Sequence, residues 1–597
     1  LYEAQPNVEN ADRTARASLA LGQISSSLHA ALVIRVQSTE WKQSSSTAHQ
    51  IAELERCEPL LHDALHRKNK AKKGTQQFDD LTRKWEELYI YCEHLRKDLQ
   101  RTNEERDNVL TSMQQYLRLA IESYSTALAL ASAGFDEDLL RPVSELISLW
   151  FENYKVNNDG TVDINKLMKT VAFEKVPSFR FVPLANQLFS RIEQSDDLRS
   201  IVFQSVLQDL VFKMCAQHPY HCILPLIALA NGKKVGSGVS GRHASAYIEN
   251  VGNSKVAPAS EIISRLRKEA PPYVVGLLAT YAILGDSYIH LAGADTSSFH
   301  KQVTKDISFS KVYNNTSMAL DKCLRKGSAT MMYPPAIFTS VPKLQPDGNY
   351  GDGEEDPIGA ERVRGFKPVF SITETGLHRP KIVICLGTKG GEFRQLVKGE
   401  DEIRQDAIMC QVFTIVNDLM LRRRSTAARK ARSKQFHHQL RIATYRVVPL
   451  SPASGVLEWV ENTVAFGDVI FGRSPRNEDV GLHARYYPKE WNYLVCRRHF
   501  VEAPSSVKRE TYDVVCRNFS PCFRFFFIER FGHDMMEWHA ARMRYTRSVA
   551  LSSMVGHILG IGDRHTSNIL VHTKTGEVVQ IDFGIVFEQG KVSTCMG

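Results

Sequence analysis

The sequence predicts two architectures in series: an α-solenoid over residues 1–330, then an α+β region of two lobes. Three observations predict this. Apolar residues recur at three- and four-residue steps through the first half, with no sustained alternation. Short strand-like runs begin near residue 360. A stretch near the end, GDRHTSNILVHTKTGEVVQIDFG (Gly562 to Gly584), reads as a hairpin that gathers three polar residues.

At 597 residues the chain exceeds one compact core, so two or more domains are expected. No run of about 18 apolar residues is read in the sequence, so no membrane span is expected. There is no basic-then-apolar leader, and Leu1 reads as a start inside a longer chain. The net charge of +9 suits acidic or nucleic-acid partners without requiring them. Eleven cysteines lack zinc spacing and read as thiols in a reducing compartment.

In the first half, Leu110, Met113, Leu117, Ile121, Tyr124 and Leu128 form one helical stripe, and Leu139, Val143, Leu146, Trp150 and Tyr154 another. No strict repeat period is present, so the solenoid is irregular. The segment Trp85 to Arg101 carries both charge signs; it reads as a solvated helix face, or as a partner-binding coiled coil. Gly232 to Ala259 and Pro346 to Gly359 read as exposed loops, with helices at Glu261 to Gly285 and around Val312 to Leu324.

Beyond residue 360, Val369 to Ile372 and Lys381 to Leu386 are strand-like and flank the turn Thr373-Glu374-Thr375-Gly376. Such a hairpin can lay N–H groups over phosphates, or be a plain turn. Arg394 to Gly399 is a strand carrying Lys398, and a helix follows from Asp401 to Leu421. A strand lysine can reach nucleotide phosphates when a helix carboxylate holds it; Asp406 is the first candidate and Asp401 the second. Arg422 to Lys434 has seven basic residues in thirteen and reads as a basic loop, or as a localisation or DNA-contact segment. After a strand at Thr444 to Leu450 and a turn at Ser451 to Gly455, Leu457-Glu458-Trp459-Val460 stands where two lobes need a connector. There Glu458 and Val460 can read an adenine edge by backbone, with Trp459 as the ring; alternatively Trp459 is a core aromatic. Arg473 to Lys489 reads as a loop, and Phe519 to Phe531 as a buried helix.

The helical run Tyr545 to Leu559 feeds the final hairpin. Its strands are Ile569 to Val571 and Val578 to Ile581, with a turn at Lys574-Thr575-Gly576. Asp563, Asn568 and Asp582 are thereby gathered. Phosphoryl transfer needs this inventory: one carboxylate to take the proton of an attacking hydroxyl, and an amide and a second carboxylate to hold magnesium. Asn568 follows Asp563 by five residues, as in protein kinases, and Asp582-Phe583-Gly584 lies fourteen past Asn568. A surface hairpin with turn-forming Asp and Asn is the bland alternative.

The order Asp563-Arg564-His565, in place of His-Arg-Asp, resembles the phosphatidylinositol 3-kinase-related protein kinases. Within them the likeness is to the ataxia-telangiectasia-mutated checkpoint branch and its fungal telomere-maintenance orthologues. It is carried by RQLVKGEDEIRQDAIMCQVF (Arg394 to Phe413), TYRVVPLSPASGVLEW (Thr444 to Trp459), YTRSVALSSMVGHILGIGDRHTSNIL (Tyr545 to Leu570) and IDFGIVFEQGK (Ile581 to Lys591). HPYHCILPLIALAN (His218 to Asn231) resembles the end of that family's FAT solenoid.

The resemblance implies a FAT solenoid over residues 1–330 whose family-profile part ends near 232, a small lobe and connector at 331–460, and a large lobe at 461–597. It implies a Ser/Thr protein kinase that uses ATP and Mg2+ and modifies Ser/Thr-Gln sites in the DNA-damage checkpoint. It implies a nuclear homodimer, associated with chromatin and telomeres and recruited by a double-strand-break-sensing nuclease complex (MRN-type), with indirect DNA contact and no membrane. Residue by residue, Lys398 binds phosphate, Asp563 is the base, His565 stabilises phosphate charge, and Asn568 and Asp582 bind metal. Tyr445, Leu457 and Leu570 line the adenine pocket with Trp459. The family continues past E-Q-G-K with a P-F-R-L-T-R run, whereas Lys591 is followed by Val592-Ser593-Thr594-Cys595-Met596-Gly597. A domain truncated in the activation segment, without the FATC element, is therefore expected. Two competitors remain. A lipid kinase needs a basic patch after Asp582-Phe583-Gly584, where residues 585–591 offer one lysine. A pseudokinase scaffold would be expected to lose Asp563, Asn568 or Asp582, and all three are present.

Overall fold

The computed structural model describes residues 5–132, 139–155, 163–232, 253–296, 306–309, 332–337, 342, 344–346, 348, 350, 361–373, 379–399, 403–428, 440–472 and 480–587. The chain divides into two compact units, residues 1–184 with 195–210 and residues 185–194 with 211–597.

The first unit is helical. Helices α1 (Gln5–Gln37), α2 (Thr39–Ser44), α3 (Ala48–Lys70), α4 (Gln76–Leu130), α5 (Leu140–Asn153) and α6 (Ile164–Leu167) follow in order. The 55-residue α4 is the spine; at 1.5 Å per residue it runs roughly 80 Å. It pairs with both α1 and α3. Thr75 caps it by accepting from Phe78 N at 3.3 Å. The stripe read from sequence is its buried face: Leu117, Ile121, Tyr124 and Leu128 are all 5% exposed or less. Gly22 of α1 lies on the Tyr124 ring, where a Cβ would come within 2.7 Å of Cδ1. Trp150 is fully buried and donates from Nε1 to Asn165 Oδ1 at 2.8 Å, which satisfies its one polar atom. The mixed-charge segment 85–101 packs along α3, with Arg96 paired to Glu58 at 2.8 Å.

The second unit opens with α7 (Ala185–Ser190) and the last turns of α8 (Leu198–Gln217), then α9 (Pro219–Ala230), α10 (Asn253–Glu269) and α11 (Pro272–Ala292). A six-stranded antiparallel sheet follows, in the order β1-β2-β3-β4-β6-β5. Its strands are β1 (Ile307–Ser308), β2 (Val363–Ile372), β3 (Lys381–Gly387), β4 (Glu392–Gly399), β5 (Val447–Ser451) and β6 (Ser454–Glu458). Helix α12 (Ile403–Ala428) packs on β5. Burial alternates along β3 and β4, as a sheet with two unlike faces requires.

The remaining residues form β7 (Thr463–Ala465), β8 (Ile569–His572) and β9 (Val578–Gln580) in one sheet, with helices α13 (Phe466–Phe471), α14 (Leu482–Tyr486), α15 (Tyr493–Glu502), α16 (Lys508–Asn518), α17 (Arg524–Phe531) and α18 (Met535–Leu559). The aromatic run becomes α17, whose Phe526, Phe527 and Phe531 pack with Val571 of β8 and Ala541 of α18.

Several expectations are corrected. Helix α12 continues through residues 422–428, so the first half of the basic run is helix rather than loop; arginine and alanine are good helix formers. Helix α10 begins at Asn253, inside the expected loop, and α14 occupies part of the expected 473–489 loop. Strand β1 was not expected. Two stretches, Glu9–Gln37 and Pro272–Ala292, are long and apolar enough to cross a membrane, although neither is an uninterrupted apolar run. Pro272–Ala292 is 61% buried inside its own unit, as a core helix is. The expected turn at 374–376, the helix around 312–324 and Asp401 lie outside the described residues. Nine described cysteines are free thiols, eight of them buried.

Candidate active site

Helix α18 stops at Gly560, which has a left-handed φ of 62°. A Cβ there would lie 2.6 Å from Phe587 O. The chain then enters the 562–568 loop. Asp563 and Asp582 both adopt left-handed φ, 51° and 62°, a conformation Asp tolerates better than most residues. Arg564 holds the two segments together. Its Nε donates to Gly562 O and its Nη1 to Ile581 O, each at 2.8 Å, and its Nη2 bonds Asp582 O. The guanidinium also lies 5.3 Å from the Phe583 ring centre. Burial pulls its pKa down, against the nearby Asp582 and Asp563.

Asn568 is buried and closes the loop. Its N–H donates to His565 O at 2.9 Å, its Nδ2 to Asp563 O at 3.1 Å, and its own carbonyl accepts from Ile581 N at 3.0 Å. With Nδ2 spent on Asp563, the amide oxygen is the atom it presents elsewhere. Asp563 and His565 are exposed. His565 Nδ1 accepts from Ser567 N at 3.3 Å, which leaves the proton of a neutral ring on Nε2.

Lys398 projects from β4, and its Nζ lies 4.0 Å from Asp582 Oδ1. Lys398 is largely buried, whereas Asp582 is half-exposed. Asp406, 3% exposed in the first turn of α12, accepts from Phe583 N at 2.9 Å. Phe583 is fully buried and meets Phe413 edge-on at 5.4 Å.

The connector is built as follows. Glu458 N donates to Arg446 O at 2.9 Å, and the Glu458 carboxylate accepts from Arg446 N at 3.0 Å. Trp459 N donates to Arg394 O at 3.2 Å, and Val460 O accepts from Thr463 Oγ1 at 2.7 Å. Tyr445, Leu457 and Phe583 belong to one apolar cluster, with Leu396, Val460, Leu570 and Ile581 packed against it. Burial, then Cys410 and Asp406, push the Tyr445 phenol well up, so it stays protonated.

Residues 392–595 match the family model of phosphatidylinositol 3- and 4-kinases. The chain is 34% identical over 496 residues to the serine-protein kinase ATM of Sus scrofa, covering 80% of this chain and 14% of that protein. It is 32% identical over 559 residues to the serine/threonine-protein kinase ATM of Arabidopsis thaliana, covering 93% and 13%. The serine/threonine-protein kinase tel1 of Neurospora crassa matches at 32% identity, covering 84% and 15%. This chain resembles the ATM/Tel1 kinases over 80%, 93% and 84% of its length in these three comparisons. Among solved structures, the one described as the FAT and kinase domain of CtTel1 matches with a TM-score of 0.64 and 28% identity, covering 96% of this chain and 34% of that one. The complete CtTel1 dimer with C2 symmetry matches with a TM-score of 0.65 and 27% identity, covering 96% and 18%. The chain thus spans about one-seventh of the length of the curated relatives it matches.

The candidate metal donors are an amide oxygen and a carboxylate, Asn568 and Asp582. These are hard oxygen ligands, and one or two of them beside substrate phosphates suit magnesium. No group of three or more His, Cys, Asp or Glu that could hold a metal occurs among the described residues, and phosphate-assisted magnesium needs none. Sequence reasoning gave Arg564, Leu396 and Ile581 no role. Leu396 was recoverable, because it shares a β4 face with Lys398 at period two. Arg564 was not, since it acts on backbone carbonyls that leave no mark in sequence.

Proposed function

We propose that the protein containing this chain is an ATP- and Mg2+-dependent Ser/Thr protein kinase of the DNA-damage checkpoint and telomere maintenance, acting on Ser/Thr-Gln sites. The observation that carries the reading is the approach of Lys398 Nζ to the Asp582 carboxylate across the cleft, at 4.0 Å. The curated relatives are named as serine or serine/threonine protein kinases, which favours a protein over a lipid acceptor. Residues 1–330 are read as the FAT-type solenoid, with its family-profile part ending near 232, 331–460 as the small lobe and connector, and 461–597 as the large lobe.

In this mechanism Asp563 orients a substrate hydroxyl and takes its proton as the oxygen attacks the terminal phosphate in line, while the bond from that phosphate to the departing ADP breaks. Lys398 neutralises phosphate oxygens, and His565 donates from Nε2 to the transferring group. Asn568 and Asp582 would hold magnesium, which when bound screens the phosphate charge. Asp406, or Asp401, steadies the lysine side of the cleft. Adenine lies in the apolar cluster, against Tyr445, Leu457, Leu570 and Trp459, with the backbone of Glu458 and Val460 reading its edge. Homodimers, a nuclear location on chromatin and telomeres, and recruitment by a break-sensing nuclease complex complete the proposal. The solved structure described as the complete CtTel1 dimer supports the first of these.

The test is phosphate transfer by the full-length protein to a Ser-Gln peptide and to phosphoinositide vesicles, with Asp582→Ala as control. Label is expected on the peptide alone and lost in the variant. Label on the lipid, or transfer surviving the substitution, overturns the reading.

A further inference from the structure

Strand β4 has two faces. Leu396 and Lys398 are on the face toward the proposed nucleotide cleft; Gln395, Val397 and Gly399 are on the other, and all three are buried. The second face is fixed by helix α11, outside the catalytic motifs. The Tyr288 hydroxyl donates to Gln395 Oε1 at 2.5 Å, and the Gln395 amide nitrogen donates to Pro335 O. Tyr288 is 1% exposed and Gln395 0%. One turn on, Ala292 O accepts from the buried Lys381 amine at 2.8 Å. The same carbonyl stands so close to Gly399 that a Cβ there would come within 2.8 Å of it.

A buried glutamine on a strand costs stability unless both ends of its amide are bonded. Here both are, and the partners are a helix and a loop rather than the sheet. The register shows what is held. Gln395 stands opposite Glu458, the connector residue, and Lys398 opposite Gly455. Lys381 stands opposite Val397. Helix α11 therefore grips the rung that carries the connector and, three residues on, the strand end that carries the phosphate lysine.

We infer that Tyr288 and Gln395 are positioning residues for the nucleotide, through which helix α11 sets the distance between the connector and Lys398. This rests on the proposed kinase reading. A displacement of α11 then changes ATP affinity through β4.

The experiment uses the full-length protein with Tyr288→Phe, Gln395→Leu and the double variant. ATP dissociation constants are measured by equilibrium binding, beside peptide-kinase KM and kcat and thermal melting. Each single variant is expected to weaken ATP binding and raise its KM on the order of three- to tenfold, with kcat at saturating ATP held within about twofold. The double variant is expected to be no weaker than the worse single one, because the two side chains act as a unit. Unchanged ATP affinity in Tyr288→Phe, even with a lowered melting temperature, overturns the inference, and so does simple additivity in the double. If the Gln395 variants do not accumulate, Tyr288→Phe decides alone. Binding is read independently of transfer, so an absent peptide-kinase activity in the unmodified protein counts against the kinase reading and not against this one.

Discussion

The Asp406 carboxylate accepts the Phe583 N–H at 2.9 Å, and so a helix of the six-stranded-sheet lobe holds the backbone beside Asp582. Both residues are buried, and Phe583 continues into the apolar cluster through Phe413. The backbone that carries one candidate metal ligand is thus held by Asp406 on one side and by Arg564 on the other.

Asp406→Ala leaves the Phe583 N–H buried and unpaired, and removes a charge-assisted bond of about 2–3 kcal/mol. The expected result is a loss of about 30- to 100-fold in kcat/KM for peptide phosphorylation. Asp406→Asn keeps an acceptor oxygen and is expected to retain most of the activity. Steady-state kinetics on the two variants check this; equal losses would show that the charge matters and the acceptor does not.

Arg564→Ala strips three carbonyls of their donor at once and uncovers Phe583. The expected cost is about 2–4 kcal/mol of stability in the catalytic unit. Arg564→Lys is expected to recover little, because one ammonium cannot span three carbonyls set for a planar fork. Denaturant melts followed by tryptophan fluorescence would measure both.

How much of this was legible in the sequence depends on how far apart the cooperating residues lie. Asp563, Asn568 and Asp582 are held within twenty residues by one hairpin, so spacing and strand pattern sufficed. Lys398 was singled out because it stands upstream of the Asp563-Arg564-His565 motif; a lone strand lysine would read as solvated. The α4 stripe was visible because burial enforces helical periodicity over many turns. Strand β1 has two residues and no room for alternation. Helix α12 runs on into the basic segment because helix propensity outlasts the apolar pattern used to find its end. Tyr288 and Gln395 lie 107 residues apart, and only the folded sheet brings them together.

Trp150 offers a test of the first unit. It is fully buried, meets Phe173 and Phe203 within 5.1 Å, and bonds Asn165. Trp150→Ala is expected to cost about 3–5 kcal/mol, whereas Trp150→Phe keeps most of the packing and orphans the Asn165 amide oxygen, for about 1–2 kcal/mol. Thermal melting should order them native, Phe, Ala. Since neither variant keeps the indole N–H, the reverse order would mean that an aromatic ring at this position adds nothing to packing.

The last prediction concerns pH. The Tyr350 hydroxyl lies between His218 Nδ1 at 3.0 Å and His221 Nδ1 at 3.4 Å. Burial, then Arg446 and His218, pull His221 down to about 3. An unfolded histidine takes up its proton near 6.5. Between pH 6.5 and 3 the unfolded chain therefore binds one more proton at this residue than the folded one, so stability falls as pH falls through that window. Above pH 6.5 both states are neutral here and the contribution is constant. Unfolding by urea at pH 7.5, 6.5, 5.5 and 4.5 should show a declining free energy in the native protein. His221→Gln removes the titration, and its curve should fall less steeply by about one proton's slope. Parallel curves for the two proteins would mean that His221 accepts its proton in the folded state as readily as in the unfolded one.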